Sequence, residues 1–161
     1  MATFPSSTIA DGIWTLKKQK RAQQGGDWPE VLISAEYLLV AGGGGGAGRD
    51  IDGGGGAGGF LTSTTNLQPA STYNVIVGSG GAGGLNASAR SGSTGQDSSF
   101  NSITADGGGG GRAYSDAADG NGGSGGGGSG LTNLSGGTAT AGQGNDGGLG
   151  FYVSSANFTG G

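Results

Sequence analysis

From residue 41 onward the chain is written in glycine runs with a repeat of three, two glycines followed by one small or polar residue. Gly78-Ser79-Gly80-Gly81-Ala82-Gly83-Gly84 shows it, and residues 120–128 repeat it with Asn121 and Ser124 in the third place. All the glycines except Gly12, Gly25 and Gly26 lie in this part of the chain. A repeat of three matches the extended left-handed polyproline II helix, with three residues per turn, a rise of ~3.1 Å and no internal hydrogen bonds. Proline is not its cause, because the chain has only Pro5, Pro29 and Pro69. Nor does glycine fall at strictly every third position, as collagen requires. The ordered solution left is a bundle of polyglycine II helices, in which the absence of side chains lets main chains bond to one another.

Ordering a glycine costs roughly 0.5–1 kcal/mol more than ordering an alanine, so such runs do not fold alone. Lateral backbone hydrogen bonds, each about 0.5–1.5 kcal/mol net, must offset that cost, together with apolar segments that clamp the run ends. A flexible Gly/Ser linker is the competing reading. It fails to explain why EYLLVA (36–41), YNVIV (73–77) and FNSITA (100–105) are interleaved with the runs. The apolar segments still make only a small core, so an isolated monomer is expected to be marginal and association, as a trimer or by docking, is expected.

The 161-residue chain suits one compact domain with an appendage. With no cysteine and no histidine, it lacks disulfides, thiolate metal sites and the commonest general base, which argues against an ordinary hydrolase or zinc enzyme. The net charge is −4, and all three lysines lie near the N-terminus. Beyond Arg49 the basic residues are Arg90 and Arg112 alone, so no nucleic-acid groove is expected. No apolar stretch is long enough for a membrane span, and MATFPSSTIADG lacks the form of a signal peptide, so synthesis in the cytoplasm is expected. The Asn86, Asn133 and Asn157 glycosylation triplets then read as chance matches in a chain rich in Ser, Thr and Asn.

The expected fold class is mainly β and irregular: short β-strands clamping a bundle of polyglycine II helices, with a small N-terminal helical anchor. Residues 1–35 form the anchoring module and 36–161 the glycine-rich domain. In the module Thr15 can cap a helix over 16–24, and Gly25-Gly26 stops it. Lys17, Lys18, Lys20 and Arg21 read either as a solvated helix face or as a face that docks on an acidic partner. Ile13, Trp14 and Trp28 are more apolar surface than so short a segment can bury within itself.

Strands are expected over 36–41, 60–64, 73–77, 98–105 and 150–154, rich in β-branched and aromatic residues. Three times a strand leads into a glycine run and then into a polar loop: around 49–52, over 85–97, and over 112–119. Were these three strands aligned in one direction, the loops would share one pole and run 53–59 would be the return leg. The anchoring module, which feeds the first strand, would belong to the opposite pole. Seven residues of such a helix span about 22 Å.

Several motifs look catalytic. Gly78 to Gly83 fits G-x-G-x-x-G after a strand, but 85–97 cannot supply the helix that a dinucleotide site needs. No lysine follows residue 20, which removes a phosphate-binding loop. Residues 141–146 resemble a single calcium-binding nonapeptide, with Gly148 where an apolar residue belongs. Asp50 and Asp52 could ligate a hard cation, although a solvated loop is the simpler reading. Tyr114, between Arg112 and Asp116, reads equally as a recognition loop and as a polar turn. No cofactor is expected.

YLLVA (37–41) with Gly42–Gly46, GGGGAGGF (53–60), YNVIVGSGGAGG (73–84) and SSFNSITADGGGGG (98–111) together resemble the glycine-rich domain of tailed-bacteriophage tail-fibre and virion proteins. The resemblance covers roughly 36–154. DGIWTLKKQKRAQQGGDWP (11–29) is similar to a short module of structural proteins of marine, cyanobacterium-infecting phages. The resemblance implies a virion component, made in the host cytoplasm, without enzymatic activity or membrane insertion. Its partners would be other virion proteins and a host cell-surface receptor, protein or glycan. By position the receptor-facing residues would be Arg49, Asp50, Asp52, Arg90, Arg112, Tyr114 and Asp116. Ile13, Trp14, Lys17, Lys18, Lys20, Arg21 and Trp28 would hold the virion. Against the resemblance, no long shaft-binding portion like that of the related adhesins is expected in these 161 residues. Capsid decoration or a head fibre, and an antifreeze protein of polyglycine type, remain open beside the tail-fibre reading.

Overall fold

A computed structural model describes residues 14–26, 31–48, 51–85, 91–114, 120–130, 134–153 and 157–159. It falls into two compact units, one formed by 1–35 with 64–72 and the other by 36–63 with 73–161.

In the first unit Leu16–Gly25 forms helix α1. Thr15 caps it, its side chain accepting from the Lys18 N–H at 3.4 Å. At the other end Gly26 takes φ 74°, and its N–H turns back to the carbonyls of Ala22 and Gln23. A left-handed residue at that place favours glycine, which has no Cβ to clash.

Strand β1 (Ile33–Val40) pairs with β2 (Phe60–Leu67). A second sheet has the order β3 (Val75–Ile76), β4 (Ser98–Phe100), β5 (Ile103–Ala105), and every pair in it is antiparallel. Strands β6 (Phe151–Val153) and β7 (Asn157–Thr159) form an antiparallel pair. The segment 98–105, expected as one strand, is thus a hairpin. Phe100 faces Ile103 across a turn of two residues, and Asn101 takes φ 55°. Asparagine enters the left-handed region more readily than most residues, so the polar Asn101-Ser102 pair ends the strand. The three strands expected side by side also differ from expectation. β3 and β5 share a direction but flank β4, and β1 belongs to another sheet.

Alignment of direction is carried instead by the glycine runs, whose cross-bonds advance three residues at a time. Gly81 and Gly84 donate to the carbonyls of Gly43 and Gly46 at 2.9 and 2.8 Å, and Gly108 and Gly111 donate to Gly42 and Gly45 at 2.8 and 2.9 Å. Runs 42–48, 78–84 and 106–112 are therefore parallel. Run 53–59 returns antiparallel, with Gly44 donating to Gly56 and Ala47 to Gly53. A step of three in these ladders is the signature of polyglycine II rods, each turning a different residue to each neighbour.

Rod 106–112 is the interior member. Its neighbours are 42–48, 53–59, 91–97 and 123–127, and Gly107 to Gly111 are all buried. A Cβ on Gly109 would collide with the Gly120 carbonyl oxygen, and one on Gly110 with that of Gly92. Main chain packed on main chain here takes the place of a side-chain core. The ordinary hydrophobic core is small and lies at the strand end of the rods. Leu39, Ala41 and Ala105 are buried, with Tyr37, Leu61, Phe100 and Ile103 against them. Phe100 lies against both Tyr37 and Tyr73, with each ring centroid 6.1 Å from its own.

Part of the expected polar loop 85–97 is also a rod. Ser93 and Gln96 donate to Ala82 and Ser79 at 2.8 and 2.9 Å, while Gly92 and Gly95 donate to Gly111 and Gly108. The rod needs glycine at only one position in three, where a Cβ on Gly92 or Gly95 would strike the carbonyl of Gly45 or Gly42. The other positions tolerate Ser, Thr, Gln and Asp.

Candidate functional site

Parallel rods of similar length bring their far ends together, away from the hydrophobic core. Gly53 donates to the carbonyl of Arg112 at 3.1 Å, Gly130 to that of Ile51 at 2.8 Å, and Leu134 to that of Ser129 at 3.2 Å. Gly48 lies beside Gly84 and Leu85. The residues 49–50, 86–90, 115–119 and 131–133 lie outside the described residues. Of the residues singled out for receptor contact, the structure therefore places Asp52, Arg112 and Tyr114 together. Arg49, Asp50, Arg90 and Asp116 fall outside the described residues.

Asp52 is the hub of the pole. One carboxylate oxygen, Oδ1, accepts the Tyr114 N–H at 3.2 Å and the Ser129 hydroxyl at 2.9 Å. The other, Oδ2, is buried without a hydrogen-bond partner. Ser129 is fully buried, so Asp52 joins strand-distant rods rather than standing free in solvent. Arg112 donates from Nη1 to the carbonyl of Ser135 at 3.0 Å, and its Nε is buried without a partner. Its aliphatic stem lies over Gly120, where a Cβ would come within 3.0 Å of Cγ and Cδ. Ala113 is buried and donates to Ser91 Oγ at 3.1 Å. Tyr114 and Leu85 project from this base, 48% and 66% exposed. The role of Ser129 is not visible in the sequence, where it is one serine among many and lies off the third places marked by Asn121 and Ser124.

Aspartates elsewhere in this unit also make cross-chain bonds, two to main chain and one to a side chain. Asp97 accepts the Gly107 N–H at 2.8 Å, Asp106 the Thr140 hydroxyl at 2.7 Å, and Asp146 the Ala139 N–H at 2.7 Å. Among the described residues no group of three or more Asp or Glu side chains gathers to hold a metal ion.

In the helical unit Lys17, Lys18, Lys20 and Arg21 are exposed, and Leu16 is 84% exposed. Trp14 is half-buried, and its carbonyl accepts from Gln19 Nε2 at 3.4 Å. The first turn has no acidic residue, so Lys17 and Lys18 stand at the end of α1 where the helix dipole disfavours cations. Ile13 and Trp28 lie outside the described residues. No described helix is long and apolar enough to cross a membrane.

No curated protein and no solved structure matches this chain. A family model, the glycine-rich domain, matches residues 22–161. That span takes in every rod and every strand described above, and the chain belongs to the glycine-rich domain family.

Proposed function

We propose that this chain is a structural component of a phage virion, a short tail-fibre or adhesin-type protein that presents its loop-bearing pole to a receptor on the host surface. The observation that carries the reading is the convergence of Asp52, Arg112 and Tyr114 with the described rod ends at Ile51, Gly53 and Ser129, at one pole of a rod bundle. Rods cross-bonded at every third residue make a stiff platform. Loops held by such a platform lose less freedom on binding than loops on a flexible base. The role is one of binding rather than catalysis, without a cofactor. Helix α1, basic and exposed, is the element that joins the rest of the particle, docking on an acidic surface of another virion protein.

Adsorption of particles carrying Tyr114→Ala tests the reading. The Asp52 contact to residue 114 uses the main-chain N–H, so the rods keep their geometry while the exposed ring is lost. Reduced adsorption with unchanged incorporation into the particle is expected. Normal adsorption when Tyr114 and the segments 49–50, 86–90 and 115–119 are all replaced would contradict it. Antibody labelling on the capsid instead of the tail would favour capsid decoration.

A further inference from the structure

Most glycines of the rods have a steric reason inside the molecule, and a few do not. A Cβ on Gly42, Gly44 or Gly45 would collide with the main chain of a neighbouring rod. On Gly43 and Gly46 it would meet nothing closer than 3.6 and 3.9 Å, and on Gly80 and Gly83 nothing closer than 3.6 and 3.7 Å. On Gly54 it would meet nothing at all.

The lattice explains where these residues point. Rod 42–48 bonds to 53–59 and 78–84 at its sides and to 91–97 and 106–112 beneath. A rod in a hexagonal array has room for six neighbours, and the two places that no described residue fills lie on the outer side, towards which the N–H groups of Gly43 and Gly46 turn. The atoms nearest to a Cβ on Gly80 or Gly83 are the carbonyls of Gly43 and Gly46, in the same outer layer. The N–H groups of Gly43, Gly46, Gly80 and Gly83 donate no hydrogen bond among the described residues. They recur at about 9 Å along two adjacent rods.

We propose that this face is an interface at which two copies of the chain pack rod against rod, continuing the lattice across a dimer. Its main-chain groups repeat at a spacing that another polyglycine II rod matches and an ordinary strand or helix does not. The chain itself is a source of such rods, and rod 106–112 shows how its own rods cover one another. Electrostatics agree, since 42–48, 53–59 and 78–84 contain no charged residue in a chain of net charge −4. Two copies therefore meet here without opposing charges. The strands that feed the layer add exposed apolar surface next to it: Leu38 and Val40 on β1, and Val75, Ile76 and Val77 at β3, between 48% and 82% exposed. The interface does not depend on the receptor-binding reading.

Sedimentation of the full chain over a range of concentrations, beside a variant combining Gly43→Ala, Gly46→Ala, Gly80→Ala and Gly83→Ala, tests the proposal. The native chain is expected to reach twice its monomer mass. The variant should keep the circular dichroism of the fold and remain monomeric. A native chain that stays monomeric at every concentration overturns the proposal, whether or not it shapes growing ice, and so does a variant that dimerises as tightly as the native chain. Hydrogen exchange on the native chain gives a second reading should the variant fail to fold. The amides of Gly43, Gly46, Gly80 and Gly83 should slow by about tenfold or more as dimer forms, and exchange independent of concentration overturns the interface.

Discussion

The carboxylate of Asp52 and the hydroxyl of Ser129 meet at 2.9 Å although 77 positions separate them in the chain. The bond links the start of one rod to the end of another, and the same oxygen also holds the Tyr114 main chain. Asp52→Ala leaves the fully buried Ser129 hydroxyl and the Tyr114 N–H without that partner. Loss of about 1–3 kcal/mol of stability is expected, read as a lower denaturant midpoint. In a double-mutant cycle with Ser129→Ala the two losses should not add. Additive losses would show that the contact does not couple the rods.

Substituting glycine by alanine should separate the rods into two kinds. Gly109→Ala places a methyl group on the Gly120 carbonyl, main chain against main chain, inside the buried rod. It is expected to abolish the folded state. Gly54→Ala meets nothing and should be neutral or stabilising by about 0.4–1 kcal/mol, through the reduced freedom of the unfolded chain. Thermal unfolding of the two variants side by side checks the contrast, and equal effects would argue against lattice packing.

At the β4–β5 turn, φ 55° at Asn101 sets a residue-specific preference. Asn101→Gly should be tolerated. Asn101→Val forces a β-branched side chain into the left-handed region at a cost of about 1–2 kcal/mol, and it should loosen the packing of Phe100 against Tyr37 and Tyr73. Near-ultraviolet circular dichroism of the tyrosines reports that loss.

Helix α1 offers a test whose two readouts move in opposite directions. Lys17→Glu with Lys18→Glu turns an unfavourable first turn into a favourable one, and should stabilise the helix by about 0.3–1 kcal/mol per site. If the exposed cations hold the particle, the same variant should fail to incorporate. Full incorporation at raised helicity would defeat the anchoring role.

The ends of α1 were legible because Thr15 and Gly26 act through their own chemistry on the adjacent turn. The strands were legible in place but not in pairing. Ser98 to Ala105 reads as one β-rich run until Asn101 turns it back, and that choice rests on the partners each half finds. Rod 91–97 reads as a loop in the sequence because it carries only Gly92 and Gly95. Their spacing of three was its signal, obscured by the polar residues between them. Asp52, Arg112 and Tyr114 stand out in the sequence as polar residues beyond glycine runs, and nothing local to them tells that Asp52 reaches Ser129.

The amino-acid order alone determined the period of three, and with it the polyglycine II conformation, because that repeat depends only on how each residue follows the last. Which rod lies beside which, which glycines must be bare, and whether an aspartate faces solvent or fastens two rods were decided by the tertiary structure. A polyglycine II helix has no internal hydrogen bonds, so its N–H and C=O groups take meaning only from the neighbour that the fold sets against them.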